Sequence, residues 1–300
     1  LLRLLGGLDK QVFRAVPAPS VQLIVVDNSP LGEAAATCRA RSWAWPLHYL
    51  HEPRPGISHA RNTALSAVPQ GTEFIAMIDD DEVPASNWLE QLLAAQARSG
   101  ADIVVGPSTP RFPQGTPDWV PASGFFLKPH NACELRDLDP QPPAATCNVL
   151  VRASLLGASG QLFDPALALS GGEDKLLFQS LKLSGYRFAW AAQALVTEWI
   201  PQERANLAYM WRESYRRGSV KYYVKRRLKA SSAPRALYLG LRMALRGLTR
   251  IAVDLSCGLA RIGRGRAVWV PHALNVADSL GTIAGVLHIP NRHYRDEKHA

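Results

Sequence analysis

Four consecutive acids at the end of an apolar run constrain this chain more than any other feature. The run Phe74-Ile75-Ala76-Met77-Ile78 leads into Asp79-Asp80-Asp81-Glu82 and closes on Val83-Pro84. A short apolar run bounded by a turn signal reads as a buried parallel strand. Its acids then lie at the carboxyl end of that strand, where open α/β sheets bind ligands. Carboxylates this close repel one another, and a cation relieves the repulsion. Oxygen donors alone suit a hard ion, Mg2+ or Mn2+, and such ions commonly bridge to phosphates. A solvated acidic turn is the plainer alternative, so the choice rests on the other segments.

Those segments alternate between strand and helix signals. Residues 1–11 place leucines at helical spacing, and 21–26 form a β-branched run closed by Asp27-Asn28-Ser29-Pro30. Asp27 at that strand end can accept hydrogen bonds from a base or ribose, or simply cap the turn that follows. In Arg54-Pro55-Gly56-Ile57-Ser58-His59-Ala60-Arg61-Asn62 a turn precedes a helix with Ser58 as its expected N-cap. A helix start behind a glycine is a ready anion site, to which Arg61 adds a fixed charge; an ordinary capped helix with a surface arginine is the alternative. A helix over 86–99, a strand over 102–106 and a strand over 146–152 follow. Between them, 107–145 is rich in proline and aromatics and reads as a functional loop or lid. Ser170-Gly171-Gly172-Glu173-Asp174 then opens a helix to about residue 184, ending before Gly185. Its acid pair either serves a ligand or favourably charges a helix start. Strand character returns over 186–196.

Composition enters where the chain changes character. With 47% hydrophobic residues in 300, one large domain, or one domain with an appendage, can bury a core. Cys38, Cys133, Cys147 and Cys257 form no C-x-x-C pair, which argues against zinc and disulfides and for a reducing cytosolic setting. Residues 1–200 hold 15 Lys/Arg against 19 Asp/Glu (−4), whereas 201–300 hold 19 against 6 (+13). The basic third therefore meets something anionic, nucleic acid or a phospholipid surface. Over 235–262 an arginine recurs every four or so positions among apolar residues, the composition of a helix lying in a membrane interface. Packing of these helices on the body is the alternative. The apolar stretch 273–289 holds Asp278 and is shorter than the ~20 residues that span a bilayer, so no transmembrane helix is expected.

Taken in order, these motifs resemble the inverting family 2 glycosyltransferases. The matching residues are IVVDNS at 24–29, RPGISHARNTAL at 54–65, IDDDEVP at 78–84, TCNVLVR at 146–152, GGEDKLLFQSLKLSGYRFAW at 171–190 and VTEWIPQERANLAYMWRESYRRG at 196–218. The resemblance covers roughly residues 1–225 and implies an α/β GT-A fold, a mixed sheet flanked by helices. Residues 226–300 would form a basic helical extension that contacts a membrane. Asp27 would contact the nucleobase end of a nucleotide-diphosphate sugar, and Gly56 and Arg61 would shape the nucleotide pocket. Asp79 would approach the ribose and diphosphate, and would hold Mg2+ or Mn2+ together with Asp81. Asp174 would be the general base, with Asn148 and Glu173 on the acceptor side. Arg212 and Arg216 would steady the diphosphate, or else face lipid or solvent. Asp80 and Glu82 would only shape the turn.

The implied acceptor is a glycan or a polyprenyl-linked sugar, and the implied place is the cytoplasmic, inner face of the cell membrane. Nucleic acid is not the expected partner. Three departures stand out. The family's first strand should precede Leu1, so a fragment lacking its start is expected. Position 198 is Glu where many relatives carry His, which puts a metal ligand there in doubt. Position 147 is Cys where Gly is frequent. Two other readings remain: a nucleotidyltransferase, which would release pyrophosphate, and a non-catalytic protein binding membrane or nucleic acid through its basic end.

Overall fold

The structure is a computed structural model that describes residues 1–127, 136–140, 143–156 and 162–289. In chain order its elements are α1 (Leu2–Leu8), β1 (Leu23–Asp27), α2 (Ala35–Arg39), β2 (Leu47–His51), α3 (Ile57–Ser66), β3 (Phe74–Ile78), β4 (Glu82–Pro84) and α4 (Trp88–Ser99). Next come β5 (Ile103–Val105), β6 (Ser108–Arg111), α5 (Trp119–Ala122), β7 (Asn148–Arg152), α6 (Glu173–Leu183), β8 (Phe188–Trp190) and β9 (Val196–Trp199). Three long helices close the sequence: α7 (Leu207–Lys229), α8 (Ala233–Leu259) and α9 (Arg266–Val286).

These elements fall into two compact units. One holds Leu1–Arg111, Leu127–Ala168 and Glu173–Trp199; the other holds Phe112–Phe126, Leu169–Gly172 and the described residues from Ile200 on. The expected boundary after residue 225 falls inside α7, which runs unbroken to Lys229. Charge changes gradually there, whereas packing changes at Trp199, because α7 belongs with α9. The expected lid over 107–145 is not irregular throughout, since it contains β6 and α5. Residues 128–135 and 141–142 of it lie outside the described residues.

The first unit is built on sheets ordered β1-β2, β3-β7-β5-β8 and β4-β9-β6. β3 does not pair in parallel as its apolar run suggested. It pairs antiparallel with β7, with Ile78 opposite Asn148, and lies at an edge of its sheet with half-buried side chains. An apolar run records burial but not the direction of its neighbour. Successive residues of β5, β7 and β8 alternate between two cores. Val104, Leu150 and Ala189 face Trp88 and Leu92 of α4. Ile103, Val105, Val149, Val151, Phe188 and Trp190 face Phe163 and, on α6, Leu177 and Phe178. Each large apolar side chain so buried contributes about 1.5–3 kcal/mol. The carboxyl end of β3 and the start of α6 belong to the same compact unit.

In the second unit α9 packs against both α7 and α8. Met210 of α7, Val120 and Phe126 meet Val270 and Leu274 of α9. Asp278, the acid inside the apolar stretch, bonds Lys221 Nζ through both oxygens at 2.6 Å. Glycines bring the two backbones together. A Cβ at Gly281 would overlap the carbonyl oxygen of Tyr215, and one at Gly218 that of Asp278. Gly281→Ala is therefore expected to destabilise this unit by about 3 kcal/mol, read as a lowered melting temperature. Gly263→Ala, with nothing within 4 Å of an added Cβ, should melt like the parent.

Candidate active site

The start of α3 is set by Gly56. Its φ is 123°, and a Cβ there would lie 2.7 Å from both the Cβ and the carbonyl oxygen of Ala168, so a side chain does not fit. Gly56 N–H donates to Asn28 Oδ1 at 2.8 Å, and Ile57 N–H to the Ala168 carbonyl at 3.0 Å. Ser58, the expected N-cap, does not cap the helix: it is buried and donates to the Asp164 carbonyl at 2.9 Å. Asn62 bonds the Phe163 backbone both as donor (2.8 Å) and as acceptor (3.0 Å). Helix α3 is thus pinned along 163–168, and Arg61 is aimed by it.

Arg61 joins two acidic motifs. Its Nη1 donates to Glu173 Oε1, and its Nη2 lies 3.5 Å from Asp79 Oδ1. The guanidinium side chain is 16% exposed, and Glu173 is 3% exposed. Charge-assisted bonds in such a setting are strong, and removing one partner strands a buried charge. Glu173, expected on the acceptor side, is instead turned inward onto Arg61. Asp174 follows it in the first turn of α6, half-buried, with Lys175 N–H donating to its Oδ1 at 2.6 Å. Gly171 and Gly172, both with positive φ, make the turn into that helix.

The four acids separate by environment. Glu82 is 1% exposed and accepts from Ser108 Oγ at 2.7 Å and from Asp79 N–H at 3.2 Å. Its own N–H donates to the Asp79 carbonyl at 3.1 Å and closes the turn. Asp80 is exposed, whereas Asp79 and Asp81 are half-buried. The Asp81 carbonyl accepts from Trp199 N–H at 2.9 Å, and Glu198 pairs opposite Glu82. Position 198 therefore lies beside the acidic turn. Among the described residues no three His, Cys, Asp or Glu side chains gather as a metal cage. The half-buried pair Asp79 and Asp81 still fits Mg2+ or Mn2+, which keeps waters and takes one or two carboxylates plus substrate phosphates.

Asp27 is buried at the end of β1 and caps the turn. Its carboxylate accepts from Ser29 N–H (2.8 Å), Ala34 N–H (2.6 Å) and Tyr49 O–H (3.1 Å). Burial pulls its pKa up, but the bonds from Ser29, Ala34 and Tyr49 outweigh that and hold it below the ordinary value. Asn148, expected on the acceptor side, is fully buried. Its amide donates to the Pro107 and Ala194 carbonyls (2.8 and 2.7 Å) and accepts from Trp88 Nε1 (2.8 Å), so it braces the sheet instead of facing a ligand. Cys147 before it is buried too.

The two arginines of α7 differ. Arg212 is exposed. Arg216, expected at the diphosphate, makes two bonds of 2.6 Å to Glu213 and one of 2.6 Å to the Ser170 carbonyl. Burial pushes the Glu213 carboxyl up, yet Arg216 and then Arg217 hold it at about 2. One cluster escaped sequence reasoning. Glu52 bonds Arg54 (2.9 and 2.7 Å) and Thr63 (2.6 Å), and Arg54, acting against burial, holds its carboxyl at about 2. Its backbone carbonyl also takes the Asn28 amide at 2.6 Å, which ties the Asp27 turn to α3. The spacing Glu52-Pro53-Arg54 forms no pattern that would have announced it.

A mixed sheet flanked by helices, with an acidic turn ending one strand and an acid pair opening the facing helix, defines the GT-A class of fold. The chain belongs to glycosyl transferase family 2, whose family profile matches residues 1–158. Over 200 residues it is 30% identical to the succinoglycan biosynthesis protein ExoM of Rhizobium meliloti (strain 1021), a match covering 66% of this chain and 63% of that protein. The chain thus spans less than two thirds of that relative's length. Among solved structures it is similar to S. aureus TarS 1-349 in complex with UDP, with a TM-score of 0.47, 16% identity, and coverage of 94% of this chain and 85% of that one. It is also similar to GalNAc-T7 with UDP, GalNAc and Mn2+, with a TM-score of 0.46, 16% identity, and coverage of 67% and 44%.

Proposed function

We propose that this chain transfers a sugar from a nucleoside-diphosphate sugar to a glycan or polyprenyl-linked acceptor, with inversion at the anomeric carbon. One observation carries the reading: Arg61 holds Asp79 and Glu173 on a single guanidinium. The donor-end acid and the start of the helix bearing Asp174 are thereby fixed to each other. In the reaction the acceptor hydroxyl oxygen attacks the anomeric carbon as the bond to the diphosphate breaks. Asp174 takes the hydroxyl proton, as a carboxylate within hydrogen-bond reach of the nucleophile can. Glu173 and Arg61 position that helix, while Gly56 and the Asp27 turn shape the nucleotide end. Asp79 and Asp81 would hold Mg2+ or Mn2+, which when bound would stabilise charge on the departing diphosphate.

Family membership supports sugar transfer, and the ExoM relative supports a polysaccharide pathway. Peripheral placement on the inner face of the membrane belongs to the same proposal and is supported by the basic helices. The test is a panel of nucleoside-diphosphate sugars with the purified chain, Mn2+ or Mg2+ and a polyprenyl-phosphate-sugar acceptor. Release of nucleoside diphosphate, abolished by EDTA, is expected. Pyrophosphate release from a nucleoside triphosphate would instead make the chain a nucleotidyltransferase.

A further inference from the structure

Helix α8 buries the wrong face for a helix that serves only its own fold. The face against the bundle is made of Ala236, Gly240, Met243, Gly247 and Asp254. Leu237, Leu241, Leu245, Leu248, Leu255 and Leu259 point outward, between 50% and 69% exposed. They recur at spacings of three, four and seven, which places them on one side of the helix. The stripe they form is about 33 Å long. Contiguous apolar surface on that scale marks an interaction site.

Charge identifies what covers it. Arg235, Arg242, Arg246 and Arg250 are all exposed and share the polar face of the helix, turned away from the stripe, with Arg242 nearest its edge. The single acid of α8, Asp254, is buried and held by His272 (2.8 Å), Asn275 (3.2 Å) and, at 3.7 Å, Arg250, so α8 offers no carboxylate on its outer side. The end of α7 adds Lys225, Arg226, Arg227 and Lys229. Proton affinity at Lys225 is lowered first by burial, then by Lys221, Lys229, Arg246 and Arg242, a mark of crowded like charge. A second copy docking through the same face would bring arginine rows to a surface with no acids. A bilayer with anionic headgroups offers acyl chains for the leucines and phosphates for the arginines.

We infer that α8 lies flat in the headgroup region of an anionic membrane, with its leucine stripe in the acyl boundary and its arginine row on lipid phosphates. Insertion across the bilayer is a different arrangement, and among the described residues no helix is long and apolar enough for it. Apolar α9 is not the lipid-facing helix, since it packs on both α7 and α8. The inference rests on the membrane-surface part of the proposed function and names the face that docks.

Sedimentation with phosphatidylcholine vesicles, with or without about one third phosphatidylglycerol, tests it on the full chain without donor, metal or acceptor. Failure of docking is thus read apart from failure of transfer. The parent should bind anionic vesicles at least tenfold more tightly than neutral ones. Replacing three arginines (R242Q, R246Q, R250Q) should weaken binding about 100-fold. Replacing three leucines (L241S, L245S, L248S) should weaken it at least tenfold, with melting unchanged because all three positions are exposed. Binding that ignores the arginine variant overturns the inference. So does a parent that leaves both vesicle types in the supernatant while forming a dimer that the leucine variant dissolves.

Discussion

Asp174→Asn should lower turnover about a thousandfold with the fold and donor affinity retained. Asparagine keeps the size of the side chain and an oxygen that can accept from Lys175 N–H, a bond of 2.6 Å in the parent. It loses the ability to take a proton. The substitution is at a half-buried position with a local partner, so stability should move by no more than about 0.5 kcal/mol. Donor binding measured by calorimetry should match the parent, because the proposed role of Asp174 is toward the acceptor hydroxyl. Glu173→Gln provides the contrast. It removes the negative partner of a 16%-exposed guanidinium and should lower the melting temperature as well as turnover. Turnover in Asp174→Asn above a tenth of the parent's would remove the residue from the role of base.

Local patterns made the site's pieces legible, and distance hid their assembly. The run into Asp79, the Gly-Gly turn before Glu173 and the helix over 86–99 each announce themselves within a dozen residues, and the structure forms β3, α6 and α4 there. The ion pair of Arg61 with Glu173 spans 112 positions, and no periodicity reports it. Glu173 looked like a ligand residue for that reason, since an acid at a helix start shows its charge but not its partner. Asn148 misled similarly. Its neighbours mark a strand, but three internal hydrogen bonds with Pro107, Ala194 and Trp88 depend on segments that meet only in the fold. Gly218 and Gly281 carry no pattern in the sequence, and the facing backbone explains them. For α8 the arginine recurrence was visible, but which face was buried was not. A helix that packs through glycine and alanine leaves its leucines outside, the reverse of what hydrophobicity alone suggests.

Removing Asp81 tests the proposed metal role apart from the turn itself. Asp81→Ala is expected to lower turnover by about 100-fold or more, the loss of several kcal/mol of charge stabilisation on a leaving diphosphate. A higher Mn2+ concentration for half-maximal activity should accompany that loss. The Asp81 backbone carbonyl accepts from Trp199 N–H, so that tie to β9 survives the substitution. Asp80→Ala, one residue earlier and exposed, should leave the metal titration where it was. Glu82→Leu should do the opposite of Asp81→Ala. It deprives Ser108 Oγ and Asp79 N–H of a buried acceptor, at a cost of about 1–3 kcal/mol each, and should lower the melting temperature before any effect on metal is read. Metal titrations and thermal melts on the three variants therefore distinguish a ligand at Asp81, a bystander at Asp80 and a strut at Glu82. Equal loss of metal response in Asp80→Ala and Asp81→Ala would show that the run acts as a diffuse charge, because a site built on Asp81 has no use for an exposed neighbour.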